Sequence, residues 1–393
     1  MPARPSPQRT LVYFGHVPAE GAGSAIIVYR HLQRFAAAGW QVRVVADWGQ
    51  EHLLATCVAH GWPTMTLSHR RRFWPPLNPD RRLSRACRAW LWGGEVRAWL
   101  GATKPSAVFT YLSAFSDMLS IAAVGFARRY RLPLATIIHD DARDFLKDPG
   151  EGRRAHDRRQ WIVESSTRAW FASPGLAESF QLDTSVAGVL PPIPEGAAAA
   201  PLPDAATSAT TAPLLVYAGN YWPPQLPVLA ALARTTAQAG GRFLSVLKEN
   251  PEHLAYLSVH HVAHRPPFAR NTEALDYFRA HAAAMVVSYA PTSDDMPWTR
   301  TSFPSKLIEY CHLGLPLVIV APADTAIVRW ARERAFPDVF DPADQAGFAG
   351  YVARLQDPAF RRHRAEISLS FARGEFDPAF IQQQLSDSLT SHV

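Results

Sequence analysis

The sequence predicts an α/β protein made of two doubly wound domains. Three observations carry the prediction: strand-like and helix-like segments alternate, the strand-like runs are apolar almost throughout, and a Pro- and Ala-rich stretch separates two such series. Uninterrupted apolar runs belong to parallel strands covered on both faces, because a strand with one wet face would alternate. With 393 residues, 48% of them hydrophobic, the chain can supply a core to each domain. Charged residues at 19% and aromatic residues at 11% exclude a disordered chain.

The first series opens with TLVYFGHV (10–17), a buried strand. AIIVYRHLQRFAAAG (25–39) comes next as a helix stopping at a glycine, and QVRVVAD (41–47) as the second strand. AVFTYL (107–112), an Ala-rich helix (116–130) and LATIIHDD (134–141) repeat this βαβ arrangement, so residues 1–187 read as the first domain. Residues 188–213, GVLPPIPEGAAAAPLPDAATSATTAP, offer little to bury and too many prolines for a helix, which makes them a linker. The second domain, 214–374, runs from LLVYAG (214–219) through a helix near 226–239, RFLSVL (242–247), AAMVVSY (283–289), a helix near 304–313 and LPLVIVAP (315–322). The last segment, 375–393, holds an amphipathic helix that packs at the terminus or runs back across the first domain. Open sheets of this kind bind ligands at the carboxyl ends of their strands, so a cleft holding two substrates is expected.

No run approaches the roughly 18 to 20 uncharged apolar residues of a membrane span. The basic start is followed by too short an apolar run for a signal peptide, so a cytoplasmic protein is expected. Cys57, Cys87 and Cys311 are widely spaced and form no C-x-x-C, so neither a disulfide framework nor a thiolate metal site is encoded. Residues 1–187 hold 24 of the 40 Lys and Arg but only 15 of the 34 Asp and Glu, so the basic surface belongs to the first half. Within it, residues 79–92 read as a helix capped by Asn78. Leu83, Ala86, Cys87, Trp90 and Leu91 fall on one stripe, with Arg81, Arg82, Arg85 and Arg88 largely elsewhere. Such a helix either packs its apolar stripe on the sheet or docks on an anionic membrane surface, peripherally on its inner face. No nucleic-acid reader motif accompanies the arginines.

The most informative stretch is TSFPSKLIEYCHLGLPLV, beginning at Thr301. Thr301 or Ser302 can cap a helix with Pro304 in its first turn, whose free N–H groups suit an anion. Lys306 adds a charge for phosphate, and Glu309, three residues on, can accept from the two hydroxyls of a ribose. The bland reading is an exposed i,i+3 ion pair. In the first domain, HVPAEGAGSA (16–25) is glycine-rich without a G-K-[ST]; Gly21 and Gly23 permit close backbone approach or simply a tight turn, and Ser24 can cap the next helix. His139, after T-I-I at a strand end, is placed to face a ligand, or to serve as a structural hydrogen-bonder. Asp140 and Asp141 beside it are general bases, metal ligands or loop caps.

The run F-P-S-K-L-I-E-Y-C-H-L-G-L-P-L-V resembles the donor-binding motif of GT-B glycosyltransferases, in particular the retaining family 4 group in its P-S-K-x-x-E-Y variant. The resemblance implies two Rossmann-like domains facing across a cleft, with V-Y-A-G-N (216–220) and the loop at 16–25 at the family's positions. It implies that Glu309 holds the ribose of a nucleotide sugar, that Ser305 and Lys306 lie by the diphosphate, that Gly219 and Asn220 belong to the donor-binding set, and that Gly21, Gly23 and Ser24 form the acceptor- and phosphate-side loop. His139 falls at the family's catalytic histidine, with Asp140 beside it. No cofactor and no bound metal are implied.

The chain departs from the pattern in two places. Thr301 stands eight residues before Glu309, where the family has a second glutamate; Asp294 and Asp295 replace its function or form a solvated turn. Asn220, Tyr221, Trp222 and Pro223 stand where the family has an Arg and a Lys, so Lys248, Arg300 or Lys306 must neutralise the diphosphate. The function implied is transfer of a hexose, with retention in the family's manner, from a nucleotide-diphosphate sugar to a glycan, glycolipid or lipid-linked acceptor in bacterial-type surface polysaccharide or glycoconjugate synthesis. The alternatives are a sugar-nucleotide epimerase or hydrolase on the same scaffold, and a non-catalytic nucleotide-binding subunit.

Overall fold

The computed structural model describes residues 9–20, 23–47, 50, 53–67, 79–112, 117–146, 148–196, 198, 212–248 and 250–390. The chain forms two compact units, Met1–Ile193 with Ile381–Val393, and Pro194–Phe380.

The first unit is a seven-stranded parallel sheet of β1 (Thr10–Phe14), β2 (Gln41–Ala46), β3 (Thr64–Thr66), β4 (Ala107–Leu112), β5 (Leu134–Ile138), β6 (Arg168–Phe171) and β7 (Ala187–Val189), in the order β3-β2-β1-β4-β5-β6-β7. Strand side chains alternate between faces, so both faces carry a core. Leu11, Tyr13, Val44 and Phe109 pack on one side with the Gly23–Ala37 helix; Val12, Phe14, Val108 and Ile138 pack on the other with the Arg82–Leu100 and Met118–Tyr130 helices. The sheet extends to Val189, past the expected start of the linker, because β7 pairs with β6. The Pro378–Thr390 helix completes this unit: Ile381, Leu385 and Leu389 are buried in the same cluster as Leu11 and Phe109.

The second unit is a six-stranded parallel sheet of β8 (Leu214–Ala218), β9 (Arg242–Val246), β10 (Ala263–Arg265), β11 (Ala284–Ser288), β12 (Leu317–Val320) and β13 (Val339–Phe340), ordered β10-β9-β8-β11-β12-β13. In each sheet the strand order reverses beside the first strand, which sets a switch point between β1 and β4 and another between β8 and β11.

The helix expected over 79–92 is Arg82–Leu100, and its faces are the reverse of the expectation. Asn78 lies outside the described residues. Ser84, Arg85, Arg88, Ala89, Trp92, Gly93 and Val96 are buried, while Leu83 is 87% and Trp90 58% exposed. Small residues decide the orientation. A Cβ on Gly125 would fall 2.0 Å from Ala89 O, and one on Gly93 would fall 3.0 Å from Phe126 N, so the two helices meet backbone to backbone. Large side chains at that contact would hold them apart. Arg85 follows the buried face by donating to Asp157 O at 3.0 Å and lying 5.6 Å from the Trp161 ring, and Arg88 lies 5.7 Å from Trp92. Gly125→Ala should therefore destabilise the protein by about 1–3 kcal/mol, the usual cost of overpacking, read as a lower urea midpoint.

Candidate active site

In the second unit the candidate residues gather where β8 ends at the switch point. Tyr217, 1% exposed, folds its hydroxyl back to donate to Asn220 O at 2.9 Å. Between them Gly219 takes φ +105°, and a Cβ there would lie 2.6 Å from Lys306 Cε. Only glycine meets both demands. Lys306 donates from Nζ to Asn220 O at 2.6 Å and to Tyr217 Oη at 3.2 Å, with Nζ 4.5 Å from the centre of the Tyr217 ring. The side chain is half-buried as a whole but its ammonium is enclosed, and this desolvation pushes its pKa down to about 7. Among the described residues no carboxylate pairs with it, and two of its three N–H donors are spent on neutral oxygens.

Lys306 stands in the first turn of the Ser305–Cys311 helix, which Tyr310 pins to the sheet by donating to Ala218 O at 2.8 Å. The helix starts at Ser305 rather than at Thr301 or Ser302. Pro304 precedes it in extended geometry, no side chain caps it, and the backbone N–H groups of Thr301 and Ser302 bond back to Trp298 O at the end of a separate 3₁₀ turn, Pro297–Arg300. Ser305 is exposed and Glu309 half-buried one turn further on. Ser305, Lys306, Glu309, Gly219 and Asn220 are thus brought together.

The neighbouring loop is a polar network of its own. Arg300 pairs with Asp294 and, at 3.1 Å, with Asp324, which also accepts from Ser293 Oγ at 2.6 Å. The hydrogen bond from Ser293 and those from Arg300 hold the Asp324 carboxyl below its ordinary range, and the two aspartates raise the Arg300 guanidinium. Asp295 accepts from Thr292 Oγ1 at 2.7 Å. Arg300 and Asp294 are therefore engaged with each other, and Lys248 is exposed after β9. Trp222 ties this loop to the β8 turn through its contact with Trp298, ring centres 4.7 Å apart.

In the first unit, β1 ends on the same device. Tyr13 Oη donates to His16 O at 3.1 Å, and a Cβ on Gly15 would lie 2.0 Å from that hydroxyl. V-Y-F-G-H (12–16) and V-Y-A-G-N (216–220) share the spacing Y-x-G-x, a signal in the sequence that marks a tyrosine-closed turn once the two ends are compared. Tyr111 stands between two histidines, its ring centre 5.2 Å from His16 and 5.1 Å from His139. Burial, with like-charge repulsion from His31 and His16, pushes His139 down to about 3; burial pushes His31 down to about 4 and lowers His16 as well. Each imidazole is therefore neutral at ordinary pH. Ser24 is half-buried at the start of the Gly23–Ala37 helix, against Tyr111, and Gly23 takes φ +49°. Gly21 lies outside the described residues.

The two acids after β5 part company. Asp141 caps the Ala142–Asp144 turn, accepting from Arg143 N at 3.0 Å and from Arg143 Nη2 at 2.6 Å, with His156 Nδ1 3.4 Å away. Burial alone would raise its pKa, but His156 and Arg143 hold it well below the carboxylate range. Asp140 offers its backbone oxygen to Arg159 Nη1 at 2.9 Å. Among the described residues no group of three or more His, Cys, Asp or Glu is arranged to hold a metal ion, and no helix is long and apolar enough to cross a membrane.

No family model matches the chain, and no curated protein matches it in sequence. Solved structures do. A glycosyltransferase from Rickettsia africae ESF-5 is similar over 98% of this chain and 98% of its own, with TM-score 0.67 and 10% identity. Anabaena HepE in complex with UDP is similar over 98% and 100%, with TM-score 0.65 and 12% identity. The lipopolysaccharide outer core galactosyltransferase WaaB, in its apo form, covers 98% and 100% with TM-score 0.61 and 11% identity. The fold is GT-B. At these identities the likeness establishes the GT-B architecture of two parallel-sheet α/β domains, and it runs the length of both chains.

The buried histidines predict a pH dependence. Between about pH 6.5 and 4 the unfolded chain takes up protons at His31 and His139 that the folded chain refuses, so stability should fall as pH drops through that window. His139→Gln should flatten the slope of unfolding free energy against pH by about one proton, measured by urea titrations across the range.

Proposed function

We propose that this GT-B protein is a glycosyltransferase that moves a sugar from a nucleotide-diphosphate sugar, bound by the second domain, to a glycan, glycolipid or lipid-linked acceptor bound by the first. The observation that carries the reading is Lys306: an enclosed ammonium without a carboxylate partner among the described residues, at the switch point of the second sheet, one turn before Glu309. A diphosphate supplies the negative charge that this ammonium lacks, and the adjoining Glu309 takes the ribose hydroxyls. The UDP and UDP-glucose held by HepE support a nucleotide-sugar donor. Arg300, already saturated by two aspartates, is the weaker candidate for the phosphates.

In this reading the departing nucleoside diphosphate gathers charge as the glycosidic bond to it breaks, and Lys306 is worth most at that moment because it acts from a desolvated position. His139, neutral and buried, offers the reacting groups a hydrogen bond without charge. Neither role calls for a metal or a cofactor. Retention at the anomeric carbon, transfer of a hexose and a place in surface-polysaccharide synthesis rest on the resemblance to the retaining family 4 group. Asp294, bound to Arg300, is already occupied and is a poor substitute for the missing second carboxylate.

Glu309→Ala should weaken UDP-sugar binding by about 1.5–3 kcal/mol by calorimetry, the worth of hydrogen bonds to a charged group. Lys306→Ala should weaken UDP far more than uridine. Equal losses for the two ligands would count against a phosphate contact and against this reading.

The acceptor side carries a second element of the proposal, docking at an anionic membrane surface through the Arg82–Leu100 helix. Its support is the stripe Leu83, Ala86, Cys87 and Trp90, which is exposed, with the exposed Arg81 and Arg82 beside it. Leu83→Ser with Trp90→Ser should therefore abolish co-sedimentation with anionic vesicles, whereas Arg88→Gln should act only through stability. Wild-type protein that ignores anionic and neutral vesicles alike would remove the membrane from the proposal.

A further inference from the structure

Trp222 is a large apolar side chain left in water beside the switch point of the second sheet. It stands two residues after Asn220, whose carbonyl receives Lys306, and 45% of its surface is exposed. Its main chain is nonetheless held fast. Trp222 N donates to Gln225 Oε1 at 2.7 Å, Gln225 N donates back to Trp222 O at 2.9 Å, and Gln225 Nε2 donates to Ser288 O at 2.6 Å. Gln225 is buried and Ser288 ends β11, so the turn after β8 is fastened to the other strand that flanks the switch point. The indole rests on Trp298 of the Pro297–Arg300 turn, ring planes at 56°. Gln225 thus uses both ends of its amide to present an aromatic face to solvent, where the exposed part adds nothing to the core. Fixed aromatic faces beside a few convergent polar groups are what ligand sites at switch points are made of.

The order of groups along the Ser305–Cys311 helix says what meets that face. With the ribose at Glu309 and the diphosphate at Lys306, a linear donor continues past the start of the helix. There Thr301 N and Ser302 N donate to Trp298 O at 3.1 and 2.7 Å, which sets Trp298 and its neighbour Trp222 on the side where the sugar of such a donor would lie. The nucleobase would extend the other way, beyond Glu309. We infer that Trp222, backed by Trp298, is a stacking platform for the apolar C–H face of a neutral hexopyranose and so a specificity-determining residue of the donor site; the inference rests on the donor reading above. The C–H groups of a pyranose, polarised by the oxygens on their carbons, are drawn to the negative face of the indole. Charge on the adjoining loops selects a neutral ring. Three carboxylates, Asp294, Asp295 and Asp324, stand there against Arg300 and Arg329, and 85% of the Asp294 side chain is exposed. A sugar bearing its own carboxylate would meet net negative charge.

Calorimetry on the full chain with UDP, UDP-glucose and UDP-glucuronate tests the platform. Trp222→Ala should weaken UDP-glucose about tenfold, the scale of one stacked ring, and leave UDP unchanged, while Trp222→Phe should keep most of the UDP-glucose affinity. Wild type should bind UDP-glucose more tightly than UDP-glucuronate. Equal losses of UDP and UDP-glucose in Trp222→Ala would put the indole on the nucleotide and overturn the platform, as would an unchanged UDP-glucose affinity. Should Trp222→Ala fail to fold, Trp222→Leu, which keeps bulk without an aromatic face, takes its place with the same expected split. UDP-glucuronate bound as tightly as UDP-glucose, or more so, overturns the neutral class. Wild type that binds no UDP overturns the donor reading and the platform with it; normal UDP binding with a silent Trp222→Ala overturns the platform alone.

Discussion

Each sheet hangs on a tyrosine that must find an acceptor for a hydroxyl it cannot leave unpaired. Tyr13 and Tyr217 sit one residue before the end of the central strand, fully enclosed by the helices that cover the sheet. A buried hydroxyl without a partner would cost on the order of 1–3 kcal/mol, so the chain turns back at once and offers the carbonyl three residues on. The turn in each case needs a residue without a side chain, Gly15 or Gly219. That closure then places the neighbouring groups. In the second sheet the glycine leaves room for the Lys306 stem, and the same carbonyl that satisfies Tyr217 also receives the ammonium. In the first sheet the closure sets His16 at the rim beside Tyr111.

The two ends then differ in charge, and the difference is made by what is withheld. Around Lys306 the fold supplies neutral oxygens and an aromatic face but, among the described residues, no carboxylate, so burial lowers the ammonium's pKa with no opposing ion pair to restore it. Arg300, a few residues away, has the opposite arrangement, with Asp294 and Asp324 both upon it, and is spent on holding its own loop. Sequence spacing treats both as basic residues near the donor motif. Their partners, set by the folded chain, separate them.

Much of the fold was legible in the residues, and the reasons are local. Apolar runs such as TLVYF and AMVVS have no other stable use than buried parallel strands, and both became central strands. The extent of the first sheet was less so, because β7 is a short and partly exposed segment that only its pairing with β6 defines. Of the candidate site, the Ser305–Lys306–Glu309 set and its approach to Gly219 and Asn220 were visible as a motif. The contact between His31 and Gln382 in the first unit was not, since the two lie 351 residues apart and nothing local marks either one.

The Arg82–Leu100 helix shows where pattern reading fails for a physical reason. Amphipathic analysis weighs side chains by hydrophobicity and so assigns Leu83 and Trp90 to the core, but the close contact between this helix and Met118–Tyr130 is decided by the absence of side chains at Gly93 and Gly125. Once the backbones touch, the rotation of the helix is fixed, and the residues on the wrong side must adapt. Arg85 and Arg88 adapt inward because their stems are apolar and their guanidinium groups find carbonyl and indole partners. Leu83 has no such escape, and Trp90, although the Arg129 guanidinium lies 5.3 Å from its ring centre, still leaves 58% of its surface exposed. An exposed stripe of this kind persists at a cost, and contact with an apolar or interfacial phase is what would remove it. The packing of two glycines thus accounts for both the burial of the arginines and the face proposed to meet the membrane.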